Sequence, residues 1–207
     1  GLPVTLLLFV GTIALGMPLA VAMALGRRSR ILAVRVLATV YIETIRGIPL
    51  VNVLFVASLM LPLFLPAGWR VNELVRAQAA LVVFFGAYAA EVVRAGLASL
   101  PRSQAEAANS LGVGAWDRIM RIELPQALRQ AMPALANDFI RTFKNTSLLA
   151  VIGILDVVGS ANVAVQDPLW SRFYGEVYLA IAAIYFVVSF GLSAVGARLE
   201  RRLASAN

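Results

Sequence analysis

Hydrophobic positions fall into long uncharged blocks separated by short polar ones. A helix needs about 20 mostly apolar residues to cross the hydrocarbon core of a bilayer. Residues 2–26 carry no charge and stop at Arg27-Arg28-Ser29-Arg30, which predicts a first span. Residues 31–46 are mixed, with Arg35, Glu43 and Arg46 among apolar neighbours, and read as an interfacial start that enters the next span. Residues 47–69 are uncharged and form the body of a second span, with Pro49 near one end and Pro62 and Pro66 closing the other. The third span is predicted over 75–97, yet only 77–90 is uncharged, so Glu91 and Arg94 fall inside the membrane or at its edge. A polar stretch over about 98–130 follows. A fourth span is predicted over 131–157 and carries Asp138, Arg141 and Lys144. After a loop over 158–172, a fifth span over 173–197 ends at Arg198.

Five spans make this an all-α integral membrane protein with its termini on opposite sides. Lys and Arg in short loops collect on the cytoplasmic side. One set of segments holds Arg27, Arg28, Arg30, Arg35, Arg46, Arg94, Arg102, Arg118, Arg121, Arg129, Arg198, Arg201 and Arg202; the other holds Arg70, Arg76 and Arg172. That asymmetry predicts the N-terminus outside, and the C-terminus and the 98–130 stretch in the cytoplasm. No internal repeat is visible, and one transmembrane domain over 1–207 is the expectation. The chain enters its first apolar run without Met or the basic leader of a signal peptide, so part of the native N-terminus is expected to precede Gly1.

The 98–130 stretch is too patterned to be a passive connection. Ser103 and Glu106 have the spacing of a capping box, in which each side chain satisfies a free amide at a helix start. Ala105, Ala107, Ala108 and Leu111 continue as a small-residue helix, and Gly112 is placed to end it in a left-handed cap. A second amphipathic turn over 115–124 carries Trp116, Ile119, Met120 and Ile122, and Pro125 restarts a helix that leads into the fourth span. A short helix faced with alanine lets another protein approach closely; a capped helix resting on the membrane surface has the same local pattern.

Composition agrees with the blocks: 60% hydrophobic, 14% charged, and a mean hydropathy of +0.83. A soluble domain carries about a quarter charged residues. The net charge of +7 comes from loop arginines beside apolar spans, which removes the case for nucleic-acid binding. With no Cys and no His, thiol chemistry, the usual zinc sites and imidazole catalysis are excluded. No Gly-rich phosphate loop is present either. A membrane-embedded carboxylate hydrolase finds no motif to hold its carboxylates. An ion-driven carrier is separated from an ATP-driven one by whether uptake follows ATP or the ion gradient.

Glu106-Ala107-Ala108, Gly112, Ile122 and Leu124-Pro125 stand at the spacing of the EAA loop. At these positions the chain resembles the membrane subunits of ABC-type importers. The flanks running from Tyr41 through Glu43, Arg46, Pro49 and Leu50, from Ala87-Tyr88 to Glu91, Arg94 and Gly96, and from Lys144 to Leu148 look like the polar amino-acid branch. The stretch from Glu43 to Pro62 is most similar to the general L-amino-acid permeases of Gram-negative bacteria; Asp156 departs by standing where a Glu is more usual. The resemblance implies the type I importer fold in a bacterial inner membrane, with two permease subunits paired. Each would dock one cytoplasmic ATPase through Glu106, Ala107, Ala108, Leu111 and Gly112, and a periplasmic amino-acid-binding protein would deliver substrate. ATP and Mg would then be bound by the partner ATPase, with no cofactor in this chain.

Polar residues inside the spans are the candidates for the pathway. At 100° per residue, Asn137, Asp138, Arg141, Lys144 and Asn145 occupy an arc of about 120°. Ionisable groups facing lipid are costly, so this stripe predicts contact with water, a partner or the pathway. The same stripe also fits the membrane interface, with Arg141 pairing Asp138 or Asn137 and Lys144 snorkelling to headgroups. Glu91 is three residues from Arg94, a pairing distance on a helix, or lines a cavity with Tyr88. Glu43 and Arg46 have the same spacing and suit structural pairing or gating. An amino-acid substrate needs an anion for its ammonium and a cation for its carboxylate; Glu91 or Asp156 suits the first, Arg141 or Lys144 the second.

Overall fold

The computed structural model describes residues 1–66 and 68–204, and among these the chain is all-helical. In order the helices are α1 (Leu2–Arg27), α2 (Leu32–Gly47), α3 (Leu50–Phe64), α4 (Glu73–Ala98), α5 (Arg102–Ser110), α6 (Ala115–Ile152), α7 (Val157–Ala164) and α8 (Tyr174–Ala204). Helices suit lipid because every backbone amide is satisfied within the segment. Among the described residues α1, α4 and the stretch Ser171–Arg202 are each long and apolar enough to cross a membrane; counting each bent pair as one span brings the total to five.

α1 and α4 lie side by side and run in the same direction. Near their starts Gln78 Nε2 donates to Thr12 Oγ1 at 2.9 Å, and near their ends Arg27 meets Glu91. α6 returns between them in the opposite sense, so that Phe139 stacks on Phe85 at 6.0 Å and Phe143 meets Phe9 edge-on at 5.5 Å. In lipid there is little hydrophobic drive between helices, and close approach of small residues supplies the packing instead. Ala20, Ala24, Ala89, Ala90, Ala127 and Ala131 accordingly fill the α1–α4–α6 core. Gly96 shows why: a Cβ there would lie 2.5 Å from the carbonyl oxygen of Ala127. A second cluster, including Leu8, Leu50, Leu54, Leu81 and Leu149, packs α3 against the opposite halves of α1 and α4. α8 touches Phe143 through Tyr185 at 5.1 Å but is otherwise mostly uncovered; Leu179, Phe186, Val187 and Phe190 are exposed.

The second span departs from the straight helix expected over 47–69. α2 and α3 meet at a bend of 107°. Ile48 is extended and Pro49 stands ahead of α3 in a polyproline-like conformation. Proline pushes its predecessor out of the helical region and donates no amide, so the break falls there. α2 therefore lies across the bundle, with the Tyr41 hydroxyl donating to the Val83 carbonyl at 2.7 Å. The fourth span departs too. Its helix does not restart at Pro125 but runs on from Ala115, passes through a π-helical turn over Arg118–Glu123, and tightens to 3₁₀ geometry over Thr146–Ile152. Gly153 then breaks it, and α7 leaves at 43° within what was expected to be loop.

Candidate functional site

Two polar regions remain once the apolar packing is assigned: the short helix α5 with its tether, and a charge cluster where α1, α2 and α4 cross. α5 sits at the end of the bundle where α1 stops, because Arg28 reaches Glu123 on the segment that follows α5. The expected capping box is absent. Pro101 is the N-cap residue, so Ser103 already lies inside the helix and makes no cap bond; proline's preset φ starts the turn instead. The other end follows the sequence. Gly112 has φ +72°, its amide donates to the Asn109 carbonyl and the Val113 amide to that of Ala108, both at 3.0 Å. Those two bonds are a Schellman motif, which satisfies carbonyls the helix would leave open.

The cap turns Leu111 outward, 82% exposed, beside exposed Ala107, Glu106 and Gly112. Trp116 is 67% exposed on the next turn. Ala108 departs from the expected docking set: it is buried and faces the bundle. Leu111 and Trp116 thus leave apolar side chains exposed around the capped end of α5.

The charge cluster is centred on Glu91. Its carboxylate receives Arg94 Nε at 3.0 Å and Arg27 Nη1 at 3.1 Å, with Arg46 Nη1 at 4.0 Å. Arg27 also reaches Glu43 at 2.7 Å. Glu43 thus pairs with Arg27 on α1 and not with Arg46, as its own helix spacing predicted. The cluster lies where α1 ends, and Glu91 and Glu43 offset part of the positive charge gathered there. One helical turn before Glu91, the Tyr88 hydroxyl donates to the Arg46 carbonyl at 3.3 Å. The Arg141 guanidinium lies 4.4 Å from the Tyr88 ring centre and its Nη2 lies 2.8 Å from Asp138 Oδ1.

Of the predicted pathway residues, Tyr88 and Arg141 are therefore in contact, with Glu91 one turn further along α4. Asn137 is exposed on the same stripe of α6. Lys144 lies further along and turns toward α8, where with Ser147, Tyr185 and Ser189 it lines a cleft of about 350 Å³. Asp156 is a correction. It is fully buried, and its Oδ1 accepts the Gly159 amide at 2.7 Å as the N-cap of α7. Its signal was in the sequence, as an acidic residue directly before an apolar run. Arg27 and Arg46 were missed as partners of Glu91. A carboxylate within a span demands a cation, but nothing in the sequence says which of several arginines the fold delivers.

With this geometry in view, comparison with known proteins is informative. Residues 16–205 match the family of binding-protein-dependent transport system inner membrane components. The inner membrane amino-acid ABC transporter permease protein YhdY of Escherichia coli (strain K12) is 43% identical over 202 residues, 98% of this chain and 55% of that one. The glutamate/glutamine/aspartate/asparagine transport system permease protein BztC of Rhodobacter capsulatus is 41% identical over 204 residues, 98% of this chain and 47% of that one. The chain thus spans about half the length of these two relatives. The L-cystine transport system permease protein TcyB of Bacillus subtilis (strain 168) is 34% identical over 205 residues, and there the match covers 82% of the relative. A solved amino acid ABC transporter with histidines superposes with a TM-score of 0.85 at 34% identity, covering 98% of this chain and 92% of that one. The chain belongs to the family of binding-protein-dependent transport system inner membrane components.

Proposed function

We propose that this chain is the membrane-spanning subunit of an ATP-driven amino-acid importer in a bacterial inner membrane. It crosses the bilayer five times with its N-terminus outside and its C-terminus and α5 in the cytoplasm. It forms half of the translocation pathway; a second permease subunit, identical or homologous, supplies the rest and covers part of the apolar face of α8. A cytoplasmic ATPase binds ATP and Mg and docks on Glu106, Ala107, Leu111 and Gly112. A periplasmic amino-acid-binding protein supplies the substrate. The amino-acid class rests on the printed functions of the relatives.

The observation that carries this reading is the outward Leu111 on a Schellman-capped helix, at the same end of the bundle as Arg27 and Arg28. Tyr88 and Arg141 are the residues proposed to meet substrate, Arg141 offering a cation to its carboxylate, with Asn137 and Lys144 flanking them; Glu91, whose carboxylate Arg94 and Arg27 already hold, stands behind them as a structural anchor. Asp156 is withdrawn from that set because it is fully buried, with its Oδ1 held by the Gly159 amide at the start of α7. The test is copurification of the full-length protein from native membranes in mild detergent. An ATP-hydrolysing subunit and a second permease should come with it. Recovery of the chain with neither would overturn the proposal.

A further inference from the structure

The π-helical turn over Arg118–Glu123 places together two residues that an α-helix would hold apart. Five residues span about 500° at 100° each, so an α-helix sets such positions about 140° apart. A π-helix bonds i to i+5 and stacks them. Here Arg118 Nε lies 2.9 Å from Glu123 Oε1. Arg118 Nη1 also donates to Asn109 Oδ1 on α5 at 2.6 Å. The other carboxylate oxygen of Glu123 faces Arg28 Nη1, at the end of α1, at 3.4 Å. Arg28 adjoins Arg27, which holds Glu91 and Glu43. Glu123 itself is 6% exposed. A carboxylate that is buried has few alternatives to its partners, since water cannot replace them. The result is a polar connection from α5, through a single buried acid, to Arg28, whose chain neighbour Arg27 heads the charge cluster.

We propose that Glu123 is the positioning residue that joins movement of α5 to movement of α1 and its charge cluster. This rests on the ATPase-docking reading of α5. Glu123 touches neither the ATPase nor substrate. It acts by holding Arg118 and Arg28 on one carboxylate, so that a shift of α5 is delivered to α1 instead of being absorbed at the loop. Arg121 is the natural contrast: its pair with Asp117 lies on the same segment at 3.1 Å, but both side chains are exposed and neither reaches α1.

These 207 residues contain no cysteine, so a label on Cys introduced at exposed Asn137, read on this chain's own gel band, reports on the bundle. The assembled complex with its copurified ATPase is reconstituted, and labelling of Asn137→Cys by a membrane-impermeant maleimide is compared with and without ATP and vanadate. In the parent, ATP changes the labelling rate by about fivefold or more, the lower end of ordinary coupling between sites. In Glu123→Gln that change falls below about twofold, while the ATPase still copurifies and still hydrolyses ATP. Arg121→Gln keeps the parent response. Arg28→Gln, which breaks the connection from the α1 side at a half-exposed residue, repeats the Glu123→Gln result even where the latter fails to assemble. An unchanged ATP response in assembled Glu123→Gln or Arg28→Gln overturns the inference, as does equal loss in Arg121→Gln. A parent complex that carries no ATPase overturns the docking reading itself.

Discussion

The guanidinium of Arg141 lies 4.4 Å from the centre of the Tyr88 ring, tying α6 to α4 one turn from Glu91. A cation over an aromatic face contributes about 0.5–1 kcal/mol at exposed sites. The Arg141 side chain is 44% exposed, so the fully desolvated value does not apply. Tyr88→Phe keeps the ring and gives up only the hydroxyl bond to Arg46. Uptake by Tyr88→Leu is expected to fall about two- to fivefold, and by Tyr88→Phe less than twofold. Initial uptake rates at matched membrane expression decide it.

Glu91 neutralises more charge than any other carboxylate in the described residues, with three arginines within 4.0 Å. Removing a partner from a buried pair costs about 3–5 kcal/mol; Glu91 is 25% exposed, and solvent screening reduces that to about 1–2 kcal/mol. Glu91→Gln is expected to lower the melting temperature of the purified protein by about 2–8 °C. Arg94→Gln should lower it less, because Arg27 and Arg46 still face the carboxylate. A thermal-shift comparison of the two variants in the same detergent tests the order.

Gly96 and Gly175 should respond differently to the same change. A Cβ on Gly96 meets the backbone of Ala127 at 2.5 Å, while one on Gly175 has open space around it. Overpacking a filled site costs about 1–3 kcal/mol. Gly96→Ala is therefore expected to lose thermal stability as α4 and α6 are pushed apart, and Gly175→Ala to keep it, when both are followed by size-exclusion recovery after heating.

The cap of α5 offers a matched pair as well. Gly112 and Gly114 both have room for a Cβ, but Gly112 sits at φ +72° and Gly114 at φ −60°. Left-handed backbone costs a residue with a side chain about 1–2 kcal/mol. Gly112→Ala should reduce the ATPase retained on a pull-down by about 5- to 30-fold, with membrane insertion intact; Gly114→Ala should retain it. Quantitative blotting of the ATPase reads both.

The uncharged blocks were legible because apolar length and the next arginine define a span. The expected limits of the first and third, 2–26 and 75–97, fall within about two residues of α1 and α4. The 107° bend was carried by Ile48-Pro49, yet the apolar run of 47–69 conceals it, since hydropathy is blind to direction. The stop at Gly112 was legible because left-handed backbone selects glycine. The start at Ser103 was misread because a capping box and the second residue after a proline cap look alike in sequence. The grouping on Glu91 was not legible: Arg27 stands 64 positions away, and only the parallel packing of α1 on α4 brings it there.

The central claim is that the exposed end of α5 is where a motor subunit sits. Replacing Leu111 with a photoreactive amino acid in the full-length protein, irradiating cells and identifying the adduct tests it directly. The account predicts a crosslink to an ATP-binding subunit, abolished when that subunit is deleted. Crosslinks confined to lipid or to a periplasmic protein would contradict it.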